Sequence, residues 1–313
     1  MNRDYGGSPY PAKDPEAHGV RSQCRIICAV LTAVLLFSFP LFARDHRATL
    51  FYDQDAFASE TYVFGVVPQF EQRRLYAIWE PIIKELEKKT GLTFELITTL
   101  NIQDFEKEFV RGGFDFVYMN PYYMLKANNI QGYIPLVRDK APLRGILVVR
   151  KDGPIQKVAD LDGKTVAFPS PNALGASLLV RADIERLYHV GVKPLYVKTH
   201  SSVYLHVANG LVAAGGGVEK SLQEQDDAIR DLLRVIYTTR DMPSHPVAAH
   251  PRVPEALREK VRQALLDIGN TSEGRDLLLK VPVKQFVPAS KDDYKIMQGW
   301  GLDGYWDPFW RED

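Results

Sequence analysis

"VAFPSPNALGASLL", Val166 to Leu179, passes from a β-type apolar run to a helix-type one through two prolines and an asparagine. A strand ending at Phe168 followed by a turn that Pro169 and Pro171 stiffen would put Asn172 where a helix N-cap belongs. The first N–H groups of such a helix have no intrahelical partner, and the helix dipole adds partial positive charge there. Small residues at Ala173, Gly175 and Ala176 leave those groups uncovered. A phosphate-like oxyanion fits such a helix start without any lysine. A plain helix start, capped by Asn172 and packed through its small residues, accounts for the same stretch.

On both sides of this turn, strand and helix patterns alternate, which implies an α/β fold with largely parallel sheets. Upstream lie the strand "TYVFGVVP" from Thr61, an amphipathic helix through Leu75, Ile78, Trp79, Ile82, Ile83 and Leu86, and the strands "TFELIT" from Thr93 and "FDFVYM" from Phe114. Gly91 is expected to close that first helix and Pro81 to kink it. Downstream come a helix over Ala173 to Tyr188, the strand "PLYVKTH" from Pro194, a helix near Val203 to Asn209, the run "GLVAAGGGV" from Gly210 and the strand "LRVIYTT" from Leu233. Three C-terminal helices, near 254–268, 272–279 and 291–299, are left to return onto the first lobe. The expected plan is a lobe of residues 61–148 plus 241–313 with an inserted lobe of 149–240. Crossings near Val149 and Thr239 would act as the hinge.

With 313 residues, the chain has room for two lobes of about 100–150 residues, each able to bury a core. Lys+Arg and Asp+Glu both number 39, so no global charge attracts nucleic acid, and an anionic ligand has to be selected by local geometry. Ile26 to Ala43, "IICAVLTAVLLFSFPLFA", carries no charge and is flanked by Arg21, Arg25 and Arg44. Residues 1–43 therefore read as a cleaved export signal or an uncleaved membrane anchor, and 44–60 as a tether. Both readings put the remainder outside the cytoplasm. Cys24 and Cys28 are the 2 cysteines and fall within this leader, so disulfides, thiolate nucleophiles and thiolate metal sites are excluded from the exported part.

Three further strand ends carry polar residues. In "DFVYMNPYYM", Asp115 to Met124, Asn120 is a cap with Pro121 at the first helical position, and Tyr118 and Asn120 could donate into a cleft; Tyr122 and Tyr123 read better as core. In "VKTHSSVY", Val197 to Tyr204, the cluster Thr199, His200, Ser201, Ser202 offers a histidine that can hydrogen-bond an oxyanion and carry a pH-dependent positive charge, or equally a capping Ser202 beside a surface histidine. "AAGGGVEKS", Ala213 to Ser221, fails as a P-loop because Glu219 stands where glycine is needed before Lys220. Its glycines, Gly216 central, imply a close backbone approach to ligand or to the hinge strand. His245 and His250 are too weakly patterned for a metal site, and no nucleophile–base or zincin signature supports catalysis. No cofactor is implied.

Taken in order, "GVVP" at Gly65, "FDFVYMNP" at Phe114, "DLDGKTVAF" at Asp160, "PNALGAS" at Pro171, "THSSVY" at Thr199 and "HPVAAHPRVP" at His245 resemble the phosphate/phosphite/phosphonate-binding proteins of ABC transporters. That resemblance spans about Thr61 to Tyr305. It implies the two-lobed type II periplasmic binding fold, each lobe a mostly parallel sheet flanked by helices, and a non-enzymatic, monomeric protein that closes on an oxyanion. The ligand would pass to an ABC permease, or the closed state would be read by a membrane sensor. The resemblance implies an anion grip at Ala173, Leu174 and Gly175, here without the family's hydroxyls. It also matches His200 to the family histidine, Tyr118 and Met119 to an aromatic pair, and Glu219 to one of two carboxylates that hold a ligand ammonium in some relatives. The second falls at His245, which favours a small plain oxyanion. The candidate ligand-binding set is therefore Gln69, Tyr118, Met119, Asn120, Ser170, Asn172, Ala173, Leu174, Gly175, Thr199, His200, Ser201, Gly216, Glu219 and His245, with neither catalytic nor metal-binding residues.

Overall fold

The computed structural model describes residues 60–281 and 283–307. The expected leader, and all of the expected tether except Glu60, lie outside the described residues. The chain order is β1 (Thr61–Val66), α1 (Gln72–Thr90), β2 (Thr93–Thr98), α2 (Ile102–Val110), β3 (Phe116–Tyr118), α3 (Pro121–Gln131), β4 (Ile134–Asp139) and β5 (Gly145–Arg150). Then follow β6 (Thr165–Phe168), α4 (Leu179–Tyr188), β7 (Lys193–Tyr196), α5 (His200–Ala208), β8 (Ala214–Val218), α6 (Glu219–Gln223), α7 (Asp227–Arg230) and β9 (Leu233–Thr238). β10 (Pro246–Ala249), α8 (Glu255–Ile268), α9 (Ser272–Lys280), β11 (Phe286–Pro288) and α10 (Asp292–Lys295) complete it.

Two sheets result: six strands in the order β11-β4-β10-β3-β1-β2, and five in the order β7-β6-β8-β5-β9. The α/β architecture is as expected, but both sheets are mixed. β1 pairs parallel with β2 and β3, and β6 pairs parallel with β7 and β8. The strands that cross between the lobes run against their neighbours: β5 is antiparallel to β8 and β9, and β10 to β3 and β4. β11, hidden from sequence reading by its three-residue length, adds antiparallel to β4.

The first crossing falls earlier than expected. β5 is hydrogen-bonded into the second sheet from Gly145 onward, so the chain changes sheets before that residue and not near Val149. The two crossings lie side by side: Leu143 bridges Met242, and Gly145 N donates to Thr239 Oγ1 at 2.9 Å. α1 buries the predicted stripe of Leu75, Ile78, Trp79, Ile82, Ile83 and Leu86, each contributing roughly 1.5–3 kcal/mol of burial. It ends at Gly91 in the left-handed conformation, as expected, and runs unbroken through Pro81.

The C-terminal segment does more than return to the first lobe. Asp303 accepts from Tyr122 of α3 at 2.8 Å, whereas the carbonyls of Trp300, Gly301 and Tyr305 accept from Arg186 and Arg181 of α4. Residues 300–307 thus strap both sheets together. Apolar packing is also continuous between them, since Leu174, Ala176, Leu178 and Val218 of the second lobe belong to the core of the first.

Candidate functional site

The helix after β6 begins one residue later than the sequence suggests. Ala173 is the N-cap, the first turn Leu174–Leu178 is a π-turn, and α4 continues from it. The first N–H groups to find a carbonyl are those of Ser177 and Leu178, both bonded to Ala173 O at 2.8 and 3.0 Å. Among the described residues the N–H groups of Leu174, Gly175 and Ala176 therefore stand bare, as is usual of a helix start. Asn172 does not cap them. Its side chain, fully buried, turns away: Nδ2 donates to both Glu106 carboxylate oxygens at 3.2 Å and to Asp307 O at 2.8 Å, while Oδ1 accepts from Asp307 N at 2.9 Å. The C-terminal strap offers Asn172 a full complement of partners that a local cap could not.

The bare helix start faces a cavity between the sheets, lined by Gln69, Asn120, Tyr123, Ala173, Leu174, Gly175, Ala176, His200 and His245 among others. A second compartment shares Gln69, Leu143, Val218, His200 and His245 with it and adds Tyr118, Asp139, Lys220, Ser221 and Ser244. Asn120 caps α3 as expected, its Oδ1 accepting from Tyr123 N at 2.9 Å. The Tyr118 ring stacks on His245, with ring centroids 5.4 Å apart, and packs against Trp79 at 4.8 Å.

Both histidines are neutral. His200 is 7% exposed, and burial pushes its imidazole down to about 4. Burial, with lesser contributions from Lys220 and His200, pushes His245 down to about 3. His245 Nε2 accepts from the Gln69 amide at 2.8 Å. His200 Nδ1 is engaged by Ser221 Oγ at 3.2 Å, which leaves Nε2 as its nitrogen without a partner among the described residues. The expectation of a pH-dependent positive charge on His200 is thus corrected: desolvation between the two sheets keeps the ring uncharged, and it acts as a neutral hydrogen-bonding group. The alternative of a surface histidine beside a capping Ser202 fails too, because Thr199 caps α5 by accepting from Ser202 N at 3.1 Å.

Several candidates lie outside the cavity walls. Met119 is buried in the first sheet, its N–H on Pro246 O at 3.2 Å, and Ser170 is fully buried in the turn. Thr199 is occupied with capping, and Ser201 follows His200 in the first turn of α5 without lining either compartment. Gly216 lines neither compartment but pairs with Leu147 of β5, the strand that follows the first crossing, and a Cβ there would lie 1.9 Å from Ala176 O, so the glycine also lets β8 pass beneath the anion-facing turn. Glu219 sits half-buried 3.8 Å from Arg144.

Sequence reading missed the polar wall of the second compartment. Lys220 Nζ forms a short ion pair with Asp139 Oδ2, joining the start of α6 in one lobe to the end of β4 in the other. "GVEKS" held the signal, a lysine at a strand-to-helix turn, which the failed P-loop match obscured.

Two mixed sheets joined by paired crossings, with helix N-termini and neutral polar side chains converging on the space between them, define a two-lobed binding protein for a small polar ligand. The chain belongs to the family of periplasmic substrate-binding proteins of phosphonate ABC transporters, whose family model matches residues 64–294. It is 22% identical over 225 residues to the phosphate-import protein PhnD of Mycolicibacterium smegmatis, covering 65% of this chain and 70% of that protein. A binding-protein component of an ABC phosphonate transporter from Pseudomonas aeruginosa shares the fold with a TM-score of 0.70 at 16% identity, over 76% of this chain and 84% of that one. PhnD1 of Prochlorococcus marinus MIT 9301, solved in complex with methylphosphonate, does so with a TM-score of 0.69 at 17% identity, over 77% and 97%. Membership implies an extracytoplasmic location and work alongside an ABC permease. Among the described residues no helix is long and apolar enough to cross a membrane.

Proposed function

We propose that this protein binds a small phosphorus oxyanion (phosphate, phosphite or a phosphonate) between its lobes, without chemical turnover, and hands it to a permease. The observation that carries the reading is the bare N–H row of Leu174, Gly175 and Ala176 on a cavity between the two sheets. Such a row, with the helix dipole behind it, stabilises an anion in a dry site without a neutralising cation. His200 and Asn120 line the same cavity as polar partners. Opening would turn about the paired crossings at Leu143–Gly145 and Thr239–Met242, with the lobes taken as the strands of each sheet.

The test is thermal unfolding of the purified protein with phosphate, phosphite, methylphosphonate, sulfate or arsenate. A ligand at about 100 times its dissociation constant stabilises by roughly 2.7 kcal/mol. A rise with a phosphorus oxyanion that His200→Ala removes supports the site. A rise with sulfate alone, or with none of them, rejects the reading.

A further inference from the structure

We infer that the Lys220–Asp139 ion pair makes the second compartment selective for a ligand whose substituent is small and uncharged, and that it excludes ammonium- and carboxylate-bearing phosphonates. This rests on the phosphorus-oxyanion reading and specifies which member of that class the cavity takes.

The two compartments share His200, His245 and Gln69, so a substituent on an oxyanion held at Gly175 and Ala176 points into the space beside Lys220. Asp139 is 2% exposed and its two oxygens are used differently. Oδ1 accepts from the backbone N–H groups of Ala141, Lys284 and Gln285 at 3.1–3.3 Å, whereas Oδ2 has Lys220 as its partner. The carboxylate is therefore held rigidly, and its ligand-facing charge is cancelled by a lysine reaching over from the other lobe.

The remaining walls offer no second charge to a visiting group. Tyr118 and His245 are neutral, and Phe70, Leu143, Val218 and Val281 are apolar. An ammonium tail would have to displace Lys220 from Asp139, and a carboxylate tail would have to draw Lys220 off it. The carboxylate exchange leaves the buried Asp139 without its partner, and the ammonium exchange leaves the part-buried Lys220 without one; both cost binding energy. A methyl group or no substituent leaves the pair intact and gains from the apolar wall.

Calorimetric titration of the wild-type protein, Lys220→Met and Asp139→Asn with methylphosphonate, 2-aminoethylphosphonate and phosphonoacetate tests this. Wild type is expected to prefer methylphosphonate over both others by roughly 100-fold. Lys220→Met exposes Oδ2 and is expected to raise the relative affinity for 2-aminoethylphosphonate by about tenfold or more, while Asp139→Asn frees the ammonium and does the same for phosphonoacetate. If one variant fails to fold, the other decides the case, because the two predict gains for opposite ligands. Wild-type binding of 2-aminoethylphosphonate or phosphonoacetate as tight as that of methylphosphonate overturns the inference, as does an unchanged ligand ratio in the folded variants. Those outcomes leave the oxyanion site standing. Failure of wild type to bind any of the three ligands, or phosphate, removes that reading and this inference together.

Discussion

The side-chain amide of Asn172 donates to both oxygens of the Glu106 carboxylate, 3.2 Å from each, and so ties the turn after β6 to α2 of the other sheet. Tyr123 adds its hydroxyl to the same carboxylate at 2.5 Å, and Asp307 brackets Asn172 through its backbone. The residue that sequence pattern marks as a helix cap is instead the node where both lobes and the C-terminal strap meet. The bare helix start beside it is left to the cavity.

Asn172→Ala is therefore expected to act on stability and closure more than on direct ligand contact. It removes the Asn172 donors from a buried carboxylate that keeps Tyr123, and the acceptor of the Asp307 amide, at about 1–3 kcal/mol in denaturant unfolding of the ligand-free protein. A loss below about 0.5 kcal/mol, the scale of ordinary surface changes, would show that the node holds nothing together.

Glu106 gives the protein a pH dependence of definite sign. Burial raises its carboxyl from 4.5 to about 7, outweighing the hydrogen bonds from Tyr123 and Asn172 that favour the charged form. The folded state thus binds the proton more tightly than the unfolded one, and stability falls as pH rises from about 4.5 through 7. The expected size is on the order of 3 kcal/mol. Unfolding of Glu106→Gln across that range should lack this slope; an identical profile in wild type and variant would remove Glu106 as its source.

The cleft histidines work in the opposite direction. His200, pushed down to about 4, and His245, pushed down to about 3, stay neutral when folded but charge near 6.5 when unfolded. Their contribution is complete above pH 6.5 and is lost as pH falls toward 4 and then 3. Acid titration followed by NMR of the ring protons should find both rings neutral at pH 5.5. A ring charging near 6.5 in the folded protein would contradict the desolvated cleft.

Gly216 and Gly175 should respond differently to alanine. A Cβ on Gly216 meets Ala176 O at 1.9 Å and the Phe168 ring at 2.6 Å, neither of which can yield, so Gly216→Ala should cost several kcal/mol or prevent folding. A Cβ on Gly175 meets Met242 Cε and Val218 Cγ1 at 3.0 Å, and the methionine is flexible. Gly175→Ala should remain folded, with a loss of about 1–2 kcal/mol in urea unfolding and the N–H row intact. Equal effects would mean that β8 is not pressed beneath the turn.

Local pattern was enough for the alternation of strands and helices, the buried stripe of α1 with its Gly91 stop, and the cap at Asn120. These depend on residues within a few positions of one another, so hydrophobic period and capping chemistry are written into the chain directly. The bare N–H row belongs here too, because small residues at Gly175 and Ala176 leave it uncovered wherever the helix lies.

The roles that depend on partners distant in sequence were decided by tertiary packing. Asn172 left its expected cap because residues 135 positions away supplied better partners. His200 lost the charge that a histidine at a strand end suggests, because closing two sheets over it removed the water that would stabilise an imidazolium. Asp139 and Lys220, 81 residues apart, gained meaning only when β4 and α6 brought opposite charges together between the sheets. Hydrogen bonds and burial between remote segments have no period in the sequence, and the chemistry of this cleft is made almost entirely of them.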